Sequence, residues 1–241
     1  MTATPRVEVH ADANALATAV AGELLTRLAD AQAAGGVPQV ALTGGTIAED
    51  IHREIARLAP GAEVDWSRVV FWWGDERFVA PDSPDRNALQ AREAFLDVVG
   101  VDPANVHEMP STADATDVDA AAAAYTTALK AHGSGEFDVV MLGIGPDGHI
   151  ASLFPGFPQL DSTDPTVGVT GSPKPPPERV SLTFPALNRA RSVWFLVSGE
   201  GKSGAVASAL GGADRHDTPA AGVVGHEETI WFLDRPAASQ L

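Results

Sequence analysis

Apolar residues along this chain recur in two rhythms. Short unbroken runs rich in Val, Leu, Phe and Trp fall at 39–42 (QVAL), 69–73 (VVFWW), 137–142 (FDVVML), 180–184, 192–197 (SVWFLV) and 229–233 (TIWFL). Runs of this length and branching predict strands buried on both faces, the signature of a parallel sheet. Residues 6–10 (RVEVH) alternate instead, which predicts a short edge strand. Between the runs the period lengthens. Leu16, Val20, Leu24 and Leu28 mark a helix over 13–33 that ends at Gly35-Gly36, and Ile47, Ile51, Ile55 and Leu58 mark the next. Further helices are expected over 87–98, 114–130 and 202–210, with a short helical turn from Pro185, and 229–233 is expected to close the sheet. Strand alternating with helix predicts an α/β fold: a Rossmann-like, predominantly parallel sheet with helices on both faces. No repeat, low-complexity tail or clean linker interrupts it, so 1–241 reads as one domain.

Several of these strands end in glycine and polar chemistry, at the carboxyl edge where open parallel sheets bind ligands. After 39–42 comes Thr43-Gly44-Gly45-Thr46 and then a helix. A helix start presents unpaired N–H groups and a positive dipole end, the glycines admit a close anion, and the two threonines add hydroxyls, so the natural guest is a phosphate. The alternative needs no ligand: Thr46 with Glu49 makes a capping box. After 69–73 comes Gly74-Asp75-Glu76-Arg77, readable as a solvated loop or as site residues, with both tryptophans expected in the core. After 137–142 come Gly143, Gly145 and Gly148 with Asp147 and His149 among them. The spacing formally matches a dinucleotide fingerprint, but Pro155 and Gly156 stop any long helix and no acidic residue ends a following strand, so that reading fails. The Gly/Pro/Thr-rich stretch 155–178 reads as a long loop, ending in prolines that stiffen Lys174 and Arg179. Lys202 falls in the first turn of a helix, where a cation is unfavourable unless an anion is near.

Composition narrows the chemistry. A net charge of −16 with three lysines (Lys130, Lys174, Lys202) argues against a nucleic-acid or anionic-membrane surface, so cations that hold an anionic substrate must be few and local. With no cysteine, disulfides, thiolate nucleophiles and cysteine-held zinc are excluded, and the seven histidines show no metal-ligand spacing. No metal and no cofactor are expected. The absence of a long apolar run or a leader-like start places the chain in the cytoplasm as an expectation.

LTGGT at 42–46, GDERFV at 74–79, GIGPDGHIASLFPG at 143–156, and PKPPPERVSLT at 173–183 with GEGK at 199–202 together resemble the 6-phosphogluconolactonase family of the sugar-phosphate isomerase/deaminase-like fold. The resemblance spans nearly the whole chain, and the third block is its most specific part. It implies hydrolysis of 6-phospho-D-glucono-1,5-lactone, a small sugar-phosphate substrate, by a monomer or weak dimer without cofactor, metal, nucleic acid or membrane. By that resemblance His149 is the general base with Asp147 beside it, Thr43, Gly44, Gly45, Thr46, Arg179 and Lys202 cradle the phosphate, Arg77 faces the substrate, and Lys174 is a further contact. Asp147 and Asp75 both stand as candidates to hold the imidazole. Ala80 and Arg86 depart from the family pattern, where proline and serine are common. The related glucosamine-6-phosphate deaminases carry a glutamate five residues after the histidine that assists ring opening, and this chain has Phe154 there. A sugar-phosphate-sensing regulator shares the fold, but a first strand at residue 6 leaves no room ahead of it for a DNA-binding helix-turn-helix.

Overall fold

The computed structural model describes residues 4–241. Its centre is a six-stranded, all-parallel sheet in the order β1-β9-β8-β5-β2-β3, built from β1 (Arg6–His10), β2 (Gln39–Leu42), β3 (Val70–Trp73), β5 (Val139–Leu142), β8 (Ser192–Val197) and β9 (Glu228–Asp234). Because side chains alternate along a strand, each strand feeds two cores. Phe71 and Trp73 pack with α1 (Ala13–Ala33), α2 (Thr46–Leu58) and the helical stretch 87–99, whereas Val70 and Trp72 pack with α5 (Val118–His132) on the other face. Both tryptophans are fully buried, and the Trp72 indole N–H donates to Gln39 Oε1 at 2.7 Å.

Local chemistry explains where the helices begin. Asp12 caps α1 by accepting the Ala15 N–H at 2.9 Å, and Asp117 caps α5 by accepting that of Ala120 at 2.8 Å. The latter moves the helix expected from 114 to a start at 118, because Asp114 bonds Ser111 instead. The capping box that Thr46 and Glu49 offered as the alternative to a phosphate site does not form. Gly45 takes the cap position at φ +101°, a backbone state that disfavours a side chain, while Glu49 pairs with Arg53. The helix over 87–98 runs to 99, as α3 (Asn87–Ala91), a wider turn through Arg92–Leu96, and α4 (Asp97–Val99).

Two expectations are overturned by a second sheet. Its order is β4-β7-β6, antiparallel, with β4 (Asp75–Arg77), β6 (Thr166–Val169) and β7 (Arg179–Leu182). The charged triplet after β3 is therefore a strand, and the stretch 155–178 contains one. Gly74 is the crossing point: its N–H bonds Leu42 in the first sheet and its carbonyl accepts from Leu182 in the second, both at 2.8 Å. The third correction concerns 229–233, which lies inside the sheet between β1 and β8, leaving β1 and β3 at the edges. A short α6 (Phe184–Leu187) and α7 (Ser203–Leu210) complete the second layer. No helix among the described residues is long and apolar enough to cross a membrane.

The strand order fixes where a site belongs. From β2 the chain moves outward to β3, then returns to the other side of β2 as β5 and continues away through β8. Strand order thus reverses between β2 and β5, and a crevice opens at their carboxyl ends.

Candidate active site

That crevice holds a cleft of about 250 Å³ lined by the ends of both sheets. Thr43, Gly44 and Gly45 come from the β2–α2 turn, Asp75 and Arg77 from β4, Gly143 to Pro146 and His149 from the turn after β5, Lys174 and Pro175 from the proline segment, Arg179 from β7 and Lys202 from the start of α7. Of the residues expected from sequence, Thr46 is the one that turns outward: it is exposed and does not line the cleft. Asp147 is not on the wall either, but it touches the residue that is. Its Oδ1 lies 2.5 Å from His149 Nδ1. Between the two carboxylates left open by sequence, geometry therefore puts Asp147 behind the imidazole. Asp75 is engaged elsewhere, accepting from Ser152 Oγ at 2.6 Å and lying 3.9 Å from Arg179 Nη1.

The turn that carries His149 is compact because it bonds to itself. Gly145 N–H donates to His149 O and Gly148 N–H to Gly145 O, each at 2.9 Å. These glycine N–H groups are thus already partnered. The ring packs 4.7 Å from Phe154. Burial pushes the His149 imidazole pKa down, the Asp147 hydrogen bond and charge push back, and Lys174 lowers it again; the net position is below the ordinary histidine value. For Asp147, burial acts upward, yet the bond and charge of His149 outweigh it and hold the carboxyl below its usual range. An ionised carboxylate behind a neutral imidazole leaves Nε2, which faces Lys174 Nζ at 3.4 Å, as the basic nitrogen.

The opposite character of the cleft is cationic. Arg77 and Arg179 are directly paired across β4 and β7, where like charges repel. Burial, and then Lys174, push the Lys202 ammonium pKa down; burial also lowers that of Lys174, whose other neighbours include Arg179 and Arg77. Four cations that repel one another converge here in a chain of net charge −16. An anion among them relieves that repulsion.

Three participants were given no role of their own by the sequence. Asn87, the first residue of α3, donates to the Asp75 carbonyl at 2.9 Å and accepts from Arg77. Ser152 ties the His149 turn to Asp75 and to Ser181 Oγ, the latter at 3.1 Å. Glu76, only 1% exposed, accepts the N–H groups of Arg77, Asn87 and Ala88 at 2.8–2.9 Å and so welds β4 to α3. A run of three charged residues directly after an apolar strand, with an asparagine following a Pro-rich turn, is the signal that was available. Glu76→Ala is expected to cost about 2–4 kcal/mol, since buried N–H groups lose their acceptor; denaturant unfolding of the two proteins checks it.

A larger recess of about 430 Å³ lies at the other end of the strands, beside Gln39, Phe137 and Arg189, with no histidine on its wall.

Residues 11–231 match the family described as glucosamine-6-phosphate isomerases/6-phosphogluconolactonase. The chain belongs to this family. Every residue of the cleft falls inside the matched range. Among relatives in the family, the 6-phosphogluconolactonase of Streptomyces coelicolor is 47% identical over 251 residues, covering 100% of this chain and 96% of that one. The crystal structure of the Thermotoga maritima 6-phosphogluconolactonase superposes with a TM-score of 0.86 at 26% identity, over 96% of this chain and 100% of its own. A monomeric glucosamine-6-phosphate deaminase has a TM-score of 0.85 at 20% identity, over 98% and 100%, a likeness of fold. The α/β fold described above is thus shared with both of these structures.

Proposed function

We propose that the chain hydrolyses 6-phospho-D-glucono-1,5-lactone to 6-phospho-D-gluconate, with His149 as the general base. The observation that carries this reading is a single cleft joining a carboxylate-backed imidazole to four converging cations. Its similarity to the Streptomyces coelicolor 6-phosphogluconolactonase along the whole chain supports it.

In this scheme Nε2 of neutral His149 takes a proton from water as the water oxygen adds to C1 of the lactone. The charge that builds on the carbonyl oxygen needs a donor. Since the Gly145 and Gly148 N–H groups are engaged in their own turn, the reading assigns that role to Arg77. The C1–ring-oxygen bond then breaks, and the imidazolium returns its proton to the departing oxygen, leaving the ring opened as a carboxylic acid and a hydroxyl. Asp147 holds the Nδ1 proton throughout. The phosphate lies toward Lys202 and the N-terminus of α2, where the first turn offers unpaired N–H groups. Arg179 contributes its charge, while its Nε and Nη2 N–H groups are already directed at the carbonyls of Lys174, Pro175 and Pro176.

Aldose–ketose chemistry is the competing activity within the family, and ring opening there calls on an acid near the histidine. At that position this chain places the apolar ring of Phe154. Lactone hydrolysis in metal-free buffer, followed beside ammonia release from glucosamine 6-phosphate, separates the two: turnover is expected in the first assay and none in the second. The reverse outcome overturns the proposal.

Lys202→Ala is expected to raise KM for the phosphorylated lactone by roughly 10- to 100-fold, the loss of one charge-assisted contact. Unphosphorylated gluconolactone is the control substrate, and its kcat/KM should stay put. An equal loss for both would remove Lys202 from the phosphate site.

A further inference from the structure

We infer that Lys174 is a positioning residue for the base: its ammonium, held at the Nε2 edge of His149, disfavours the imidazolium and keeps the ring in the form that abstracts a proton. This rests on the assignment of His149 as general base. The first observation is contact, since Lys174 Nζ stands 3.4 Å from His149 Nε2, on the ring edge opposite Asp147. An ammonium has only donors, so it accommodates an unprotonated Nε2 and repels a protonated one.

The second observation is how firmly residue 174 is placed. Its carbonyl accepts from Arg179 Nη2 at 3.3 Å and from Ser172 Oγ at 3.0 Å, while its own N–H donates to the same hydroxyl at 3.2 Å. Arg179 also donates to Pro175 O and Pro176 O, and Ser172 N–H closes the loop on Pro177 O at 3.0 Å. Arg179, a β7 residue, therefore clasps three successive carbonyls and fixes the root of the lysine. A lysine meant only to reach a mobile phosphate needs no such anchorage.

The third is the charge balance around the ring. Asp147 from the same turn and Asp75 from β4 both favour the imidazolium, and Lys174 from the proline segment is the cation that opposes them. Lys174 in turn faces Asp147 and Asp75 as attractive groups and Arg179 and Arg77 as repulsive ones. Burial is the largest force against the charged ring, and with two carboxylates opposing it the Lys174 cation adds to that force from the Nε2 side.

The test is a pair of variants, Lys174→Met and Lys174→Arg, with two readouts: NMR titration of the His149 ring in the ligand-free protein, and the pH profile of kcat/KM, which reports ionisation of the free enzyme. In Lys174→Met the ring is expected to titrate at higher pH, and the acid limb of kcat/KM to move with it. Activity then falls more near about pH 6 than near about pH 8. Lys174→Arg keeps the charge and is expected to keep both midpoints near the parent values. An unchanged His149 titration in Lys174→Met overturns the inference, even if KM for the phosphorylated lactone rises, because the lysine would then be a substrate contact alone. Failure of the base assignment looks different: His149→Ala would retain turnover, and the NMR titration would still decide whether Lys174 acts on the ring.

Discussion

Replacing His149 by alanine is expected to lower lactone turnover by about 10²–10⁴-fold, the usual contribution of a positioned acid–base group. The protein should remain folded, because the imidazole lines a cleft and is not part of either apolar core. Steady-state rates, corrected for the spontaneous opening of the lactone, measure the effect, and thermal unfolding of the variant checks the fold. The loss should fall on kcat and kcat/KM together, since the proton transfer is made only in the transition state. A rise in KM at unchanged kcat would instead make His149 a binding residue. Turnover at the parent rate would leave the cleft without its base.

Gly145→Ala is expected to be nearly as damaging for a steric reason. A Cβ at this position would lie 2.0 Å from His149 Nδ1, 2.1 Å from its Cε1 and 2.4 Å from Asp147 Oδ1. The methyl group occupies the place where the imidazole and carboxylate meet, so the pair separates. Displacement of a reacting group by about 1 Å can cost on the order of 10²-fold, and loss of that size in kcat is the expected result. The variant also removes what fixes the ring's tautomer, so the His149 NMR titration should change along with the rate. An alanine variant with parental kcat would mean that the Asp147 contact is not needed for turnover.

Much of the architecture is legible in local pattern because burial on both faces leaves an unmistakable run. The strands 39–42 and 192–197 and the helix 13–33 lie where periodicity puts them, and β1 is an edge strand as its alternation predicts. The second sheet is not legible for an equally physical reason. Asp75–Arg77 is three charged residues with no alternation toward a core, and it becomes a strand only by pairing with Arg179–Leu182. Thr166–Val169 contains Gly168, which reads as a loop residue. Yet a Cβ there would come within 2.5 Å of Asp119 Oδ1 and 2.9 Å of Val118, so the glycine answers a helix packed against the strand. Thr46 fails as a cap because Gly45, not the threonine, supplies the backbone conformation from which α2 departs.

By itself the sequence determined the parallel sheet, the order in which glycine and polar groups arrive at its carboxyl edge, and the identity of the one histidine set among them. Those features depend on residues close together in the chain, where hydrophobic period and backbone freedom act directly. Tertiary structure alone decided that Asp147 backs the imidazole while Asp75 holds Ser152, that Arg77 and Arg179 stand across from each other, and that Arg179 clasps the segment carrying Lys174. Most of these are contacts between segments far apart in the chain, and even the choice between Asp147 and Asp75 turns on where Ser152 and Arg179 lie. Their geometry is set by sheet register and by the crossing at Gly74, neither of which leaves a trace in local composition.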